Sequence, residues 1–103
     1  LLFGEDLAGN SVAVVEGPMD AIRFGAGAVA TFGIAWTAAQ AMRLSRFAVR
    51  VIVFDSEWKA QERARELADQ LECYPGRTLV VEIDSEDVGS ASERELSALR
   101  RLL

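Results

Sequence analysis

The chain has 103 residues, 50% of them apolar and 26% charged, with 16 acidic against 11 basic side chains and a net charge of -5. That length suits one domain with a modest core, and the composition is globular rather than disordered. Histidine is absent and Cys73 is the lone cysteine, which excludes a Ser-His-Asp triad, a Cys-His pair, an HExxH site, an internal disulfide and a thiolate zinc cluster.

No apolar run approaches the length of a membrane span. Arg43, Arg46 and Arg50 break the most apolar region. Glu5 and Asp6 interrupt the first apolar residues, where a secretory signal needs continuity. The chain starts at Leu1 rather than methionine, so a piece of a longer protein is expected. A nucleic-acid backbone is normally gripped by a basic surface. With an acidic excess, much of that attraction would have to come from metal ions or neighbouring domains. Arg63, Arg65, Arg77, Arg94, Arg100 and Arg101 are scattered and most read as solvated helix faces, while Arg43, Arg46 and Arg50 read as a solvated face or, failing that, a small basic patch near the opposite edge.

Residues 1–10 are expected to be a lead-in whose Leu2, Phe3 and Leu7 pack on the core. The first strand is Ser11 to Val15, followed by a short helix from Pro18, a residue suited to the first helical turn. A second strand at Ala28 to Thr31 leads to a helix from Thr37 to about Ser45, opened by a Thr37–Gln40 capping box. The third strand, Val49 to Phe54, is a nearly continuous apolar run, as expected for a strand covered on both faces. A helix over Lys59 to Glu72 carries Ala60, Ala64, Leu67 and Leu71 on one stripe, and Pro75-Gly76 marks the turn into a fourth strand, Thr78 to Ile83. The last helix starts at Ser92, capped with Glu95, and buries Leu96 and Leu99.

Strands alternating with helices predict an α/β fold with a mainly four-stranded parallel sheet. Ligands in such sheets bind beyond the carboxyl ends of the strands. Three of the four strand ends carry acids: Glu16, then Asp55 and Glu57, then Asp84 and Asp87. Glu16 and Asp55 converge if their strands are neighbours. Clustered carboxylates repel one another unless neutralised, and a hard divalent cation with oxygen ligands removes that cost. The alternative is that these acids decorate loops and cap helices, and Asp20, in the first turn of a helix, is favoured there in any case. Gly17 would permit a close approach or a positive φ, and Gly33 a tight turn beside the site. Trp36 and Trp58 either stack a base or pack on a helix. Lys59 either contacts a phosphate or pairs with Glu57. Cys73 reads as a packed small residue.

The segments VVEGPMDAIRFGAG, ATFGIAWT and VIVFDSEWKAQERARELADQL, in that order and each at a strand end, resemble the Toprim domain of topoisomerases and primases, most closely that of bacterial and phage DNA primases, including primase-helicases. The resemblance spans about residues 11 to 90, with 91–103 a C-terminal helix of the same single domain. It implies a three-layer α/β fold and a magnesium- or manganese-dependent phosphoryl-transfer site. It assigns the family's glutamate to Glu16, within an EGxxD-like string holding Gly17 and Asp20, and the glycine after the second strand to Gly33. The DxD pair falls on Asp55 and Glu57, and a later acidic ligand on Asp87, with Asp84 as a substitute. Glu16 would be a general base or a further metal ligand, with Lys59 and Trp58 placed to touch phosphate or base.

The implied partners are a single-stranded DNA template, nucleoside triphosphates, and zinc-binding or helicase domains elsewhere in the protein. The implied setting is the cytoplasm of a bacterium or a phage-infected cell, with no membrane association and no zinc in this part. The chain departs from the family at Glu57, one methylene longer than aspartate, at Trp58-Lys59-Ala60, and at Glu86, where a lysine is usual. A Toprim nuclease or topoisomerase module, and a scaffold that keeps the fold without catalysis, are the alternatives. A receiver-like or phosphatase-like α/β protein is a further one.

Overall fold

A computed structural model describes residues 10–31, 38–85 and 87–103. The expectations for Leu2, Phe3, Leu7, Gly33, Trp36, Glu86 and the Thr37 half of the first capping box fall outside the described residues. The elements of the described residues, in order, are β1 (Ser11–Val15), α1 (Pro18–Phe24), β2 (Ala28–Ala30), α2 (Ala38–Leu44), β3 (Val49–Ile52), α3 (Trp58–Leu71), β4 (Arg77–Val80), a 3-10 turn (Val88–Ser90) and α4 (Glu93–Arg100). The four strands form one all-parallel sheet in the order β2-β1-β3-β4. This is the α/β architecture expected from the alternation of strands and helices.

The two faces of the sheet are covered separately. On one face Val12, Val14, Val29, Ile52 and Phe54 pack against Ala41 and Leu44 of α2 and the Ala60, Ala64, Leu67 and Leu71 stripe of α3. On the other, Ala13, Val15, Ala28, Val51 and Val53 meet Ala21 and Phe24 of α1, Val88 and Ala91, and Leu96 and Leu99 of α4. Both alternating sets of side chains on β1 and β3 are buried towards their carboxyl ends, where the residues are all apolar (Val12 to Val15 and Val51 to Phe54). Strands β3 and β4 end two or three residues earlier than the apolar runs suggest. Val53 and Val81 still donate to Val14 and Ile52, but past that level the chains part to form the loops of the carboxyl edge.

The amino end of the sheet corrects one expectation. Arg50 lies on no solvated face; it is 1% exposed. Its Nη1 donates to the carbonyls of Phe47, Pro75 and Ser45 at 2.9, 3.0 and 3.4 Å, and its Nε to Thr78 Oγ1 at 2.9 Å. The guanidinium thus ties the turn before β3 to the turn before β4. It tolerates burial because carbonyls replace its water, although burial lowers its pKa. Cys73 is exposed rather than packed.

Gly76 makes the same corner possible. Its φ is +106°, and a Cβ there would lie 2.5 Å from the carbonyl oxygen of Ala48, which itself accepts from Arg77 N–H. Gly76→Ala is therefore expected to destabilise the fold by about 2 kcal/mol or more, through both a disfavoured dihedral and a backbone clash. A lower urea midpoint at unchanged slope would register the loss.

Candidate functional site

Parallel pairing sets the geometry. Val14 lies opposite Ile52, so β1 and β3 run out at the same level and present Glu16 and Asp55 side by side. Glu16 is 7% exposed. Its Oε1 accepts the Asp55 N–H at 3.0 Å and its Oε2 accepts Nη2 of Arg63 at 2.5 Å. The backbone ahead of α3 is fixed by Gln61, whose Nε2 donates to the carbonyls of Phe54 at 3.3 Å and Asp55 at 2.8 Å.

Two further acids approach from the opposite layer. Asp20, in the first turn of α1, accepts the Gly17 N–H on Oδ2 at 3.3 Å and the Gly89 N–H on Oδ1 at 2.8 Å. It thereby joins the start of α1 to the 3-10 turn. Asp87 caps that turn, accepting the Ser90 N–H on Oδ1 at 2.8 Å. Gly89 permits this closeness, since a Cβ would stand 3.0 Å from Asp20 Oδ1.

The resulting field is strong enough to move a proton. Asp55 is pushed up to about 7, first by burial, then by the charges of Glu16 and Asp20, by a carboxyl–carboxyl hydrogen bond with Glu16, and by the charge of Asp87. Asp20 is raised as well, mainly by burial, while the Gly89 and Gly17 N–H groups act against the shift. Arg63 is raised, chiefly by its hydrogen bond to Glu16, and the charges of Glu57 and Asp55 act in the same direction.

Glu16, Asp20, Asp55 and Asp87 therefore come together at one rim, as their positions in the sequence suggest. Glu57 stands at the N-cap of α3 with its side chain exposed and makes no capping hydrogen bond. Asp84 belongs elsewhere: its N–H donates to Glu95 Oε2 at 2.8 Å, beside α4. Gly17 has φ -117°, an ordinary extended value, so no positive φ is involved. Trp58 is 68% exposed rather than packed on a helix, and Lys59 Nζ lies 5.7 Å from its ring centroid, a cation–π distance.

Arg63, Gln61 and Gly89 are the site residues that sequence reasoning passed over. The first two had a signal: both flank the Ala60–Ala64 stripe of α3, so they sit at the margin of its buried face. Arg63 is not a solvated helix residue.

Carboxylate oxygens are the donors a hard cation takes. Among the described residues, however, no group of three acids is gathered tightly enough to ligate one ion as it stands. Glu16, Asp20 and Asp87 spend oxygens on Arg63 and on backbone N–H groups. No family model matches this chain, and no curated protein or solved structure matches it.

The Asp55 shift has a consequence for stability. Its pKa is higher folded than the roughly 3.9 of an unfolded aspartate, so between about pH 4 and pH 7 the native state holds the extra proton. Stability contributed by this group falls as pH rises through that window and is level above it. The carboxyl is partly solvated, so the cost is about 1 kcal/mol rather than the full shift. Asp55→Asn is expected to be more stable than the parent at pH 8 by about that amount and equal to it near pH 4, in denaturation curves taken across the range.

Proposed function

We propose that this chain is a Toprim-type catalytic domain that carries out magnesium-dependent nucleotidyl transfer, as in the synthesis of RNA primers on single-stranded DNA. The observation that carries this is the meeting of Glu16 and Asp55, from the ends of adjacent parallel strands, with Asp20 and Asp87 behind them. The ordered EGxxD-like and DxE strings supply the resemblance. In this assignment Asp55 and Asp87 hold the ion, and Glu57 reaches it from the first residue before α3. Bound magnesium would neutralise charge on the nucleotide phosphates.

The residues of the chain do the rest. Glu16, paired with Arg63, is placed to accept the proton of the attacking 3′-hydroxyl as the new phosphodiester bond forms and pyrophosphate leaves. Gln61 and the Glu16 carboxylate hold the Asp55 backbone, so the rim is positioned before substrate arrives. Lys59 and Trp58, exposed beside Glu57, are available to phosphate or base. With a net charge of -5, the grip on template would come from other parts of a bacterial or phage replication protein, such as a zinc-binding or helicase domain. With a water or tyrosine nucleophile, the same rim would serve a Toprim nuclease or topoisomerase.

One observation favours a second proposal. The ion pair between Glu16 and Arg63 occupies the residue on which catalysis depends, as expected if the chain were a scaffold that has neutralised its own site.

Glu16→Gln separates the two. For a catalytic domain, primer synthesis by the protein with its flanking domains should fall by about 100-fold or more, with little change in melting temperature. Residues 1–103 alone should synthesise little or nothing. Unchanged synthesis in the variant would remove Glu16 from the mechanism. An absence of saturable magnesium or manganese binding would favour the scaffold.

A further inference from the structure

The amino end of the sheet holds a buried cation with no anionic partner among the described residues. Arg50 is 1% exposed, and its guanidinium spends only Nε and Nη1, on Thr78 Oγ1 and on three backbone carbonyls. Nη2 has no hydrogen-bond partner among the described residues. Carbonyls replace water but carry no net charge, and no carboxylate of the described residues lies within ion-pair distance of Arg50. A buried guanidinium is ordinarily met by an anion, at best through a two-nitrogen fork. Burial lowers the Arg50 pKa, and no neighbouring charge acts against it.

The same guanidinium lines a cavity of about 340 Å³ with Ala68, Asp69, Glu72, Tyr74 and Thr78. The exposed wall of this cavity has the reverse deficit. Asp69 and Glu72 are solvent-facing. They stand in the last turn and at the C-cap of α3, a helix of 14 residues with no basic residue in its last turn. Two carboxylates thus sit at a helix end whose unpaired carbonyls already favour positive charge. A bare anion entering to meet Arg50 must pass these acids, and a bare cation held by them would face Arg50. A ligand that carries both charges satisfies both walls.

We infer that this cavity binds a free amino acid that carries a second basic group, with its carboxylate on Nη2 of Arg50 and its ammonium groups against Asp69 and Glu72. The lining holds one positive and two negative side chains, so one carboxylate with two ammonium groups brings the total to neutrality. The volume suits a ligand of that size. The Thr78 hydroxyl, whose oxygen accepts from Arg50 Nε, keeps a proton to donate to the carboxylate. The site lies at the end of the sheet away from Glu16 and Asp55, and it depends on no metal and on no catalytic role of the acidic rim.

The test is titration of the whole chain with L-lysine and with L-arginine, followed through the Arg50 Nε–H resonance and the melting temperature. The resonance should shift saturably and the melting temperature should rise. Acetate and butylamine, each offering one end of the ligand, should bind about tenfold more weakly than lysine or worse. The double variant Asp69→Asn with Glu72→Gln should bind lysine about tenfold more weakly than the parent and acetate no less tightly. Both positions are exposed, so the fold should survive, and Arg50 stays in place because it holds the turns together. An Arg50 resonance unmoved by either amino acid would overturn the inference, whatever becomes of the variant. So would acetate binding as tightly as lysine, since the acids would then play no part, or unchanged lysine affinity in the double variant.

Discussion

The pairing of β1 with β3 as parallel neighbours is the constraint on which the rest of this molecule depends. Parallel strands end on the same side, and the Val14–Ile52 register brings both to an end at the same level. Two acids that are 39 positions apart in the chain are thereby forced together, and the covering layers have no freedom to separate them. Both faces of these strands are buried, so a slip in register would cost apolar contacts on two sides at once. The core thus fixes the distance between charges that would otherwise move apart.

What the core imposes, the rim must then accommodate. Three devices share the work. Backbone N–H groups of Gly17, Gly89 and Asp55 point at carboxylate oxygens. Asp55 retains a proton near neutrality. Arg63 contributes the positive charge. Each device makes the crowded acids tolerable without filling the rim with apolar side chains. A site devoted only to stability would more simply have replaced one of these carboxylates with a neutral residue.

Most of the fold was legible in the sequence, because apolar runs and helical stripes follow from burial, which is local in its demands. The rim was legible in part. Glu16 and Asp55 could be placed because strand ends are visible as the last apolar residue of a run; the same rule points to Asp84, which lies beside Glu95, and Asp87 was assigned by the resemblance. Residues that act across the sheet were not visible in that way. Arg63 and Arg50 both look like surface arginines in a linear pattern, yet one meets a carboxylate from another layer and the other is sealed among carbonyls. Glu57 shows the opposite error: its place in a DxE string says nothing of its side chain facing solvent at the start of α3.

Arg50 also determines how the molecule can yield. Its guanidinium rivets the turns that precede β3 and β4, and Gly76 brings the backbone of those turns into direct contact. Among the described residues, no buried arginine spans the opposite end in this way, where loops are joined mainly through carboxylates and N–H groups. The sheet is therefore stitched at its base and laced loosely at its brim. Slow amide exchange belongs to the base, and local opening belongs to the brim, where it disturbs none of the packing beneath.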